Sequence, residues 1–173
     1  NIRPSKFMEG INTPLNINIA KNIDWIIVRE NSEGEYAGSG GIVHKGLPLE
    51  IGSELAIFTR EGCRRIHDYA FKLASTRPQK HLTLITKSNA QRHGMKLWDK
   101  IFYEVSEKYP LVNTNKLLVD AATAVMVNNP EKLDVVVATN LHADILSDLA
   151  SALTGSLGIG ATANINTNKI YPS

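Results

Sequence analysis

The sequence has 173 residues, 43% of them hydrophobic and 21% charged, which suffices for one domain with a real core. Its 19 basic and 17 acidic residues leave a net charge of +2, mixed along the chain, so no basic patch points to nucleic acid. A single cysteine, Cys63, excludes an internal disulfide and fits a reducing, cytoplasmic setting, and no apolar run approaches the roughly 18–20 residues of a membrane span.

The opening "NIRPSKFMEG" has the features of neither a signal nor a transit peptide and reads like mid-domain sequence. The closing "NTNKIYPS" stops as abruptly, so a piece of a longer protein is expected. Between them, β-rich runs alternate with helical segments, the pattern of an α/β protein. "DWIIVRE" (24–30) is nearly continuous apolar and β-branched, as a strand buried on both faces would be. The polar, glycine-rich "NSEGEYAGSGG" then reads as a loop, and "IVHKGLPLEIGSELAIFTR" as a hairpin-like section turning at glycine and proline. A helix is expected over 61–75, with Ile66, Tyr69, Ala70 and Leu73 on its apolar stripe and Cys63 buried. "HLTLIT" is a strand, "KSNAQ" leads into a helix over 91–108, and "KLLVD" is a short strand. "AATAVMVNN" is a short helix that Pro130 helps to stop, and "LDVVVATN" is a strand. "ADILSDLASAL" is a helix with Ile145, Leu149, Ala152 and Leu153 on its buried stripe and Gly155 just past its end. The glycine-rich "GSLGIGATANIN" is a loop, and "GSLGIG" lacks the strand–turn–helix context of a dinucleotide fingerprint.

Polar groups gather just after strand ends: Arg29 and Tyr36, Lys87 and Asn89, Asp120, and Asp144. Open α/β sheets bind ligands at the carboxyl ends of their strands, so this recurrence weighs more than any one motif. Asp144 and Asp148 stand one helical turn apart, where like charges repel by roughly 0.2–0.5 kcal/mol. A divalent cation would turn that repulsion into attraction, since Mg²⁺ and Mn²⁺ favour carboxylate oxygens. The alternative is that Asp144 caps the helix and Asp148 is solvated, and Asp120 alone also suits a helix cap. Lys87 is either a solvated loop residue or, in a closed site, a base. Tyr36 could move a proton or pack on the surface. Arg3 and Arg29 could grip carboxylates bidentately or form surface ion pairs. The five histidines show no metal-ligand spacing, and His142 suits packing or hydrogen bonding as well as ligation.

In order, "NIRPSKFMEG", "IIVRENSEGEYAG", "ITKSNAQ", "VDAATAVMV" and "NLHADILSDLASALTGSLGIGATANIN" resemble the metal-dependent β-decarboxylating dehydrogenases. That family includes isopropylmalate, isocitrate, homoisocitrate and tartrate/D-malate dehydrogenases. "RENSEGEY", "RPQKHLTLITKSN" and "HGMKLWD" look most like the tartrate/D-malate branch. Isopropylmalate dehydrogenases usually carry "RELTGGIY" and "DKAN" at the corresponding places.

The resemblance implies an isopropylmalate-dehydrogenase-like three-layer α/β fold with a mixed sheet. It implies NAD-dependent oxidation, with metal-assisted decarboxylation, of a small 2-hydroxy diacid such as D-malate or tartrate. Isopropylmalate or isocitrate oxidation is the alternative, as is a truncated, non-catalytic dimerisation or regulatory role. By the same resemblance Asp144 and Asp148 bind Mg²⁺ or Mn²⁺, and Asp120 supplies a third carboxylate from the other subunit of a homodimer. Lys87 is the catalytic lysine, also reaching across the dimer, and Tyr36 the proton donor after decarboxylation. Arg3 and Arg29 hold substrate carboxylates, and Asn89 lies near the nicotinamide. On this expectation residues 1–173 form one partial domain, carrying the substrate, metal and dimer-forming parts, with flanking cofactor-binding segments outside it. One departure falls at the metal site: His142-Ala143 stands where the family usually has Phe-Gly or Tyr-Gly. Alanine tolerates positive φ less well than glycine, so an altered approach to Asp144 is expected.

Overall fold

The computed structural model describes residues 1–156 and 160–166. Its strands are β1 (Ile2–Lys6), β2 (Asp24–Arg29), β3 (Gly34–Val43), β4 (Ile51–Ile57), β5 (His81–Thr86), β6 (Asn113–Leu118) and β7 (Val135–Ala138). Its helices are α1 (Ile17–Ala20), α2 (Arg60–Thr76), α3 (Gly94–Ser106), α4 (Val119–Asn128) and α5 (Asn140–Thr154), with a 3-10 turn at Pro130–Lys132. Five strands form one mixed sheet in the order β1-β2-β7-β5-β6. β1 runs antiparallel to β2, and the other pairings are parallel. β3 and β4 form a separate antiparallel pair.

Side chains alternate across a strand, so the central strands feed two cores. Val135 and Val137 of β7 join Leu82 and Leu84 of β5 beneath α2 and α3. Val136 and Ala138 join Ile27 and Ile85 beneath α4 and α5. The result is the expected α/β/α arrangement of three layers. Trp98 and Trp25, both fully buried, satisfy their indole N–H groups on the carbonyls of Ile85 (3.0 Å) and Pro130 (2.8 Å). Cys63 is buried as expected, and desolvation pushes its thiol up to about 12, so it is inert.

Three expectations need correction. The polar run read as a loop is largely strand β3. The opening segment, given no element from sequence, is strand β1, whose Pro4 is tolerated because β1 lies at the sheet edge. On α5, Ile145 and Ala152 face solvent and Leu149 is only half-buried. Leu153 is buried as expected, and the rest of the buried stripe is Ala143, Leu146 and Ala150, together with His142 and Ser147. This helix is apolar around much of its circumference, so periodicity alone did not fix which stripe meets the chain's own core. Finally, Ala143 is helical and absent from the positive-φ positions among the described residues, so alanine does not alter the backbone before Asp144. Within "GSLGIG", residues 157–159 lie outside the described residues.

Candidate active site

The site begins with strand register. β2 and β7 are parallel, with Arg29 opposite Ala138, so their carboxyl ends lie level. The chain leaves β7 through Thr139, the N-cap of α5, which sets Asn140 at the first helical position beside Arg29. Asn140 Oδ1 accepts from Arg29 Nε at 2.9 Å and from Nη2 at 2.7 Å. Nη1 is left to pair with Asp144, one turn further along the helix.

β3 crosses the same corner. Gly34, at φ +88, a conformation that favours glycine, separates two carboxylates that reach in different directions. Glu33 accepts from the Thr59 amide at 2.9 Å and from its hydroxyl at 2.8 Å at the start of α2. Glu35 accepts from Thr139 Oγ1 at 2.8 Å and from the Leu141 amide at 3.2 Å, so it satisfies orphan groups at the start of α5. Tyr36 follows directly. Its Oη donates to Asp144 Oδ2 at 3.2 Å, and its ring lies 5.7 Å from the Arg29 guanidinium carbon. The hydrogen bond to Asp144 raises the phenol pKa above its ordinary value.

β1 delivers the second arginine. Arg3 reaches Asp144 at 3.3 Å and Asp148 at 4.0 Å and donates to Ser147 Oγ on the same helix. Five of the expected residues (Arg3, Arg29, Tyr36, Asp144 and Asp148) therefore meet at one corner. Arg29 is buried and Asp148 largely exposed. Asp144 is not the helix cap, because that position is Thr139. Arg29 also lines a cavity of about 310 Å³, with Glu30, Ser32, Arg65, Tyr69 and Asn164, whose lining does not include Asp144.

Lys87 and Asp120 form a second cluster. They follow adjacent parallel strands, β5 and β6, whose ends are in register at Thr86 and Leu118, and they pair directly. Lys87 pulls the Asp120 carboxyl below its ordinary value. Asn89 lies exposed in the turn after Lys87. Ser88 Oγ in that turn donates to Asp99 of α3 at 2.8 Å.

Among the described residues no three His, Cys, Asp or Glu side chains gather as a metal-holding group. Asp144 and Asp148 nonetheless supply hard oxygen donors, and Asp144 already draws two cationic groups to itself. That donor chemistry fits Mg²⁺ or Mn²⁺, with further donors needed beyond this pair. His142 faces away from this pair, two residues along the helix from Asp144. Burial lowers its pKa, and its Nδ1 has no partner among the described residues, so it behaves as a neutral packed ring.

Asn140, Glu35 and Ser147 were not singled out from sequence. The signal available was their presence inside "EGEYAG" and "NLHADILSD", next to residues that were.

The whole chain is similar to known dehydrogenases. The family model for isocitrate/isopropylmalate dehydrogenases matches residues 1–172. A probable tartrate dehydrogenase/decarboxylase of Agrobacterium vitis is 60% identical over 173 residues, 100% of this chain and 48% of that protein. A 3-isopropylmalate dehydrogenase of Streptomyces coelicolor is 43% identical over all of this chain and 49% of its own length. The crystal structure of isocitrate dehydrogenase from Methylococcus capsulatus superposes with a TM-score of 0.86 at 38% identity. That match covers 96% of this chain and 48% of the other. The chain thus spans about half the length of the relatives it matches. No helix among the described residues is long and apolar enough to cross a membrane.

Proposed function

The chain belongs to the isocitrate/isopropylmalate dehydrogenase family, and from that membership we propose that it carries the acid-binding and metal-binding half of an NAD-dependent, β-decarboxylating dehydrogenase. The substrate class is a small 2-hydroxy diacid, with D-malate or tartrate ahead of isopropylmalate or isocitrate. The observation that carries this reading is the charge at the α5 corner. Arg3 and Arg29 balance Asp144 and Asp148, so a divalent cation would leave two positive charges, the number that a diacid dianion neutralises. The greater similarity to the tartrate enzymes than to the isopropylmalate enzymes supports the substrate order.

Asp144 and Asp148 would hold the cation and Asn89 would contact the nicotinamide end of the cofactor. When bound, the cation would polarise the substrate hydroxyl and the nicotinamide would accept the hydride from the carbon that bears it. The chain's own groups do the rest. Arg29 and Arg3 grip and orient the carboxylates through planar guanidinium forks. Lys87 of the partner subunit helps to remove the hydroxyl proton through a relay. Tyr36, whose hydroxyl donates to Asp144, delivers a proton to the carbon that loses carbon dioxide.

A homodimer follows from the same reading, because Lys87 and Asp120 pair with each other rather than with Asp144 and would act at the neighbour's site. Uncovered apolar surface supports it. Ile42, Val43, Ile51, Leu55 and Ile57 of the β3–β4 arm are all exposed, as is Ile145 of α5. The test is NADH formation by the full-length protein with Mn²⁺ and each diacid in turn. Turnover of D-malate or tartrate is expected, and absence of turnover with every diacid overturns the proposal.

A further inference from the structure

We propose that Asn140 is the positioning residue for Arg29: a neutral acceptor that fixes the guanidinium plane while leaving its charge to the anionic ligand. The inference rests on the reading of Arg29 as a carboxylate-gripping residue and adds a group that reading does not include.

The geometry is specific. Arg29 lies buried, and Asn140 is 4% exposed. One amide oxygen accepts two N–H groups of the fork, Nε and Nη2, at 2.9 and 2.7 Å. That contact directs the opposite nitrogen, Nη1, at the Asp144 corner. The other end of the amide is committed too, since Nδ2 donates to the Glu33 carbonyl at 3.1 Å. Flipping the amide would set its N–H₂ against the guanidinium and leave the Glu33 carbonyl unpaired, so the amide can face only one way. Both ends are therefore fixed, and the fork cannot turn about its stem.

Neutrality matters as much as position. A carboxylate at 140 would hold the same two N–H groups more strongly, because charge-assisted hydrogen bonds are the stronger ones. It would also cancel the arginine. The Arg3, Arg29, Asp144 and Asp148 set would then be one charge short of what a cation and a diacid dianion require. The amide of Asn140 supplies the hydrogen bonds without that neutralisation.

A plain structural role is the competing account: Asn140 would only join β3 to α5 through Glu33. Two variants of the full-length protein separate the accounts. Phenylglyoxal, which modifies arginine, is applied without metal, cofactor or substrate, and labelled peptides are quantified by mass spectrometry. In Asn140→Leu, Arg29 should label about tenfold faster than in the natural protein, as expected from losing hydrogen bonds to a charged group, while labelling of Arg77 stays unchanged as an internal control for folding. In Asn140→Asp, Arg29 should label as slowly as in the natural protein, yet KM for the diacid should rise about tenfold with a smaller change in kcat. Unchanged Arg29 labelling in Asn140→Leu, or an unchanged KM in Asn140→Asp, overturns the proposal. Should Asn140→Leu fail to fold, the Asn140→Asp pair of readings decides. If the natural protein turns over no diacid, the functional reading fails, but the Asn140→Leu labelling still tests the positioning of Arg29.

Discussion

His67→Phe should make the protein less sensitive to acid. His67 sits on α2, fully buried, with its ring 4.2 Å from Trp98 and 5.3 Å from Phe102 between centroids. Its Nε2 lies 3.2 Å from the Trp98 carbonyl and so carries the proton, while Nδ1 is buried with no partner among the described residues. A second proton would have no acceptor, and desolvation lowers the imidazole pKa to about 3. The unfolded chain binds that proton at the ordinary value of about 6.5. Below this value the unfolded state binds more protons than the folded one. Stability is therefore fully present above about pH 6.5 and is lost as pH falls towards 3, at about 1.4 kcal/mol per unit. At pH 5 the His67 share is about 2 kcal/mol. Urea denaturation followed by tryptophan fluorescence at pH 7 and pH 5 measures it. The variant's packing change and lost hydrogen bond shift both pH values alike, and the other titrating groups are common to both proteins. The natural protein should lose about 2 kcal/mol more than His67→Phe between the two pH values. Equal losses would refute a neutral, buried His67.

Three further outcomes follow from the α5 corner. Tyr36→Phe removes one exposed hydroxyl and should lower kcat by about 10²–10⁴, the range for a lost proton donor, with the melting temperature unchanged. A kcat within threefold of the natural value would remove Tyr36 from the chemistry. Asp144→Asn and Asp148→Asn should each weaken Mn²⁺ binding by at least about tenfold, read from the electron paramagnetic resonance of free Mn²⁺, whereas Asp68→Asn should leave it unchanged. Lys87→Ala and Asp144→Asn should each be inactive alone. Unfolded and refolded together, they should recover about a quarter of the natural activity, because a mixed dimer with shared sites contains one intact site of two. No recovery despite demonstrated mixed dimers would place Lys87 at its own subunit's site.

The three-layer fold was legible because β5 and the central run of β2 are short, apolar and bounded by turn residues, and α2 carries a clear apolar stripe. Arg29, Tyr36 and Asp144 were legible as candidates because they follow strand ends, and Asp148 because it shares a helical face with Asp144, whereas Arg3 stood out only as an arginine and through the resemblance. Their particular side-chain contacts were not, since they depend on Arg29 pairing in register with Ala138, far away in sequence. β3 was misread because its pairing is with β4 and its side chains are mostly exposed, so no burial pattern marks it. The α5 stripe was misread, Leu153 excepted, because Ile145 and Leu149 offer an apolar face as convincing as that of Leu146 and Ala150. Asn140 escaped notice because a lone asparagine before a helix first suggests capping, whereas here its side chain serves Arg29.

The central place of β7 also dictates when the corner can come into being during synthesis. β2 gains its parallel neighbour only after residues 135–138 have been made, and Arg29 meets Asn140 across a separation of 111 residues. Until then one long side of β2 waits unpaired on the growing chain, while α2, β5 and α3 can already collapse around their own contacts. Closing so large a loop is slow and leaves an open strand edge that invites wrong partners. Arg29 is consequently among the last groups to be set, and its correct seating beside Asn140 reports that the sheet has closed.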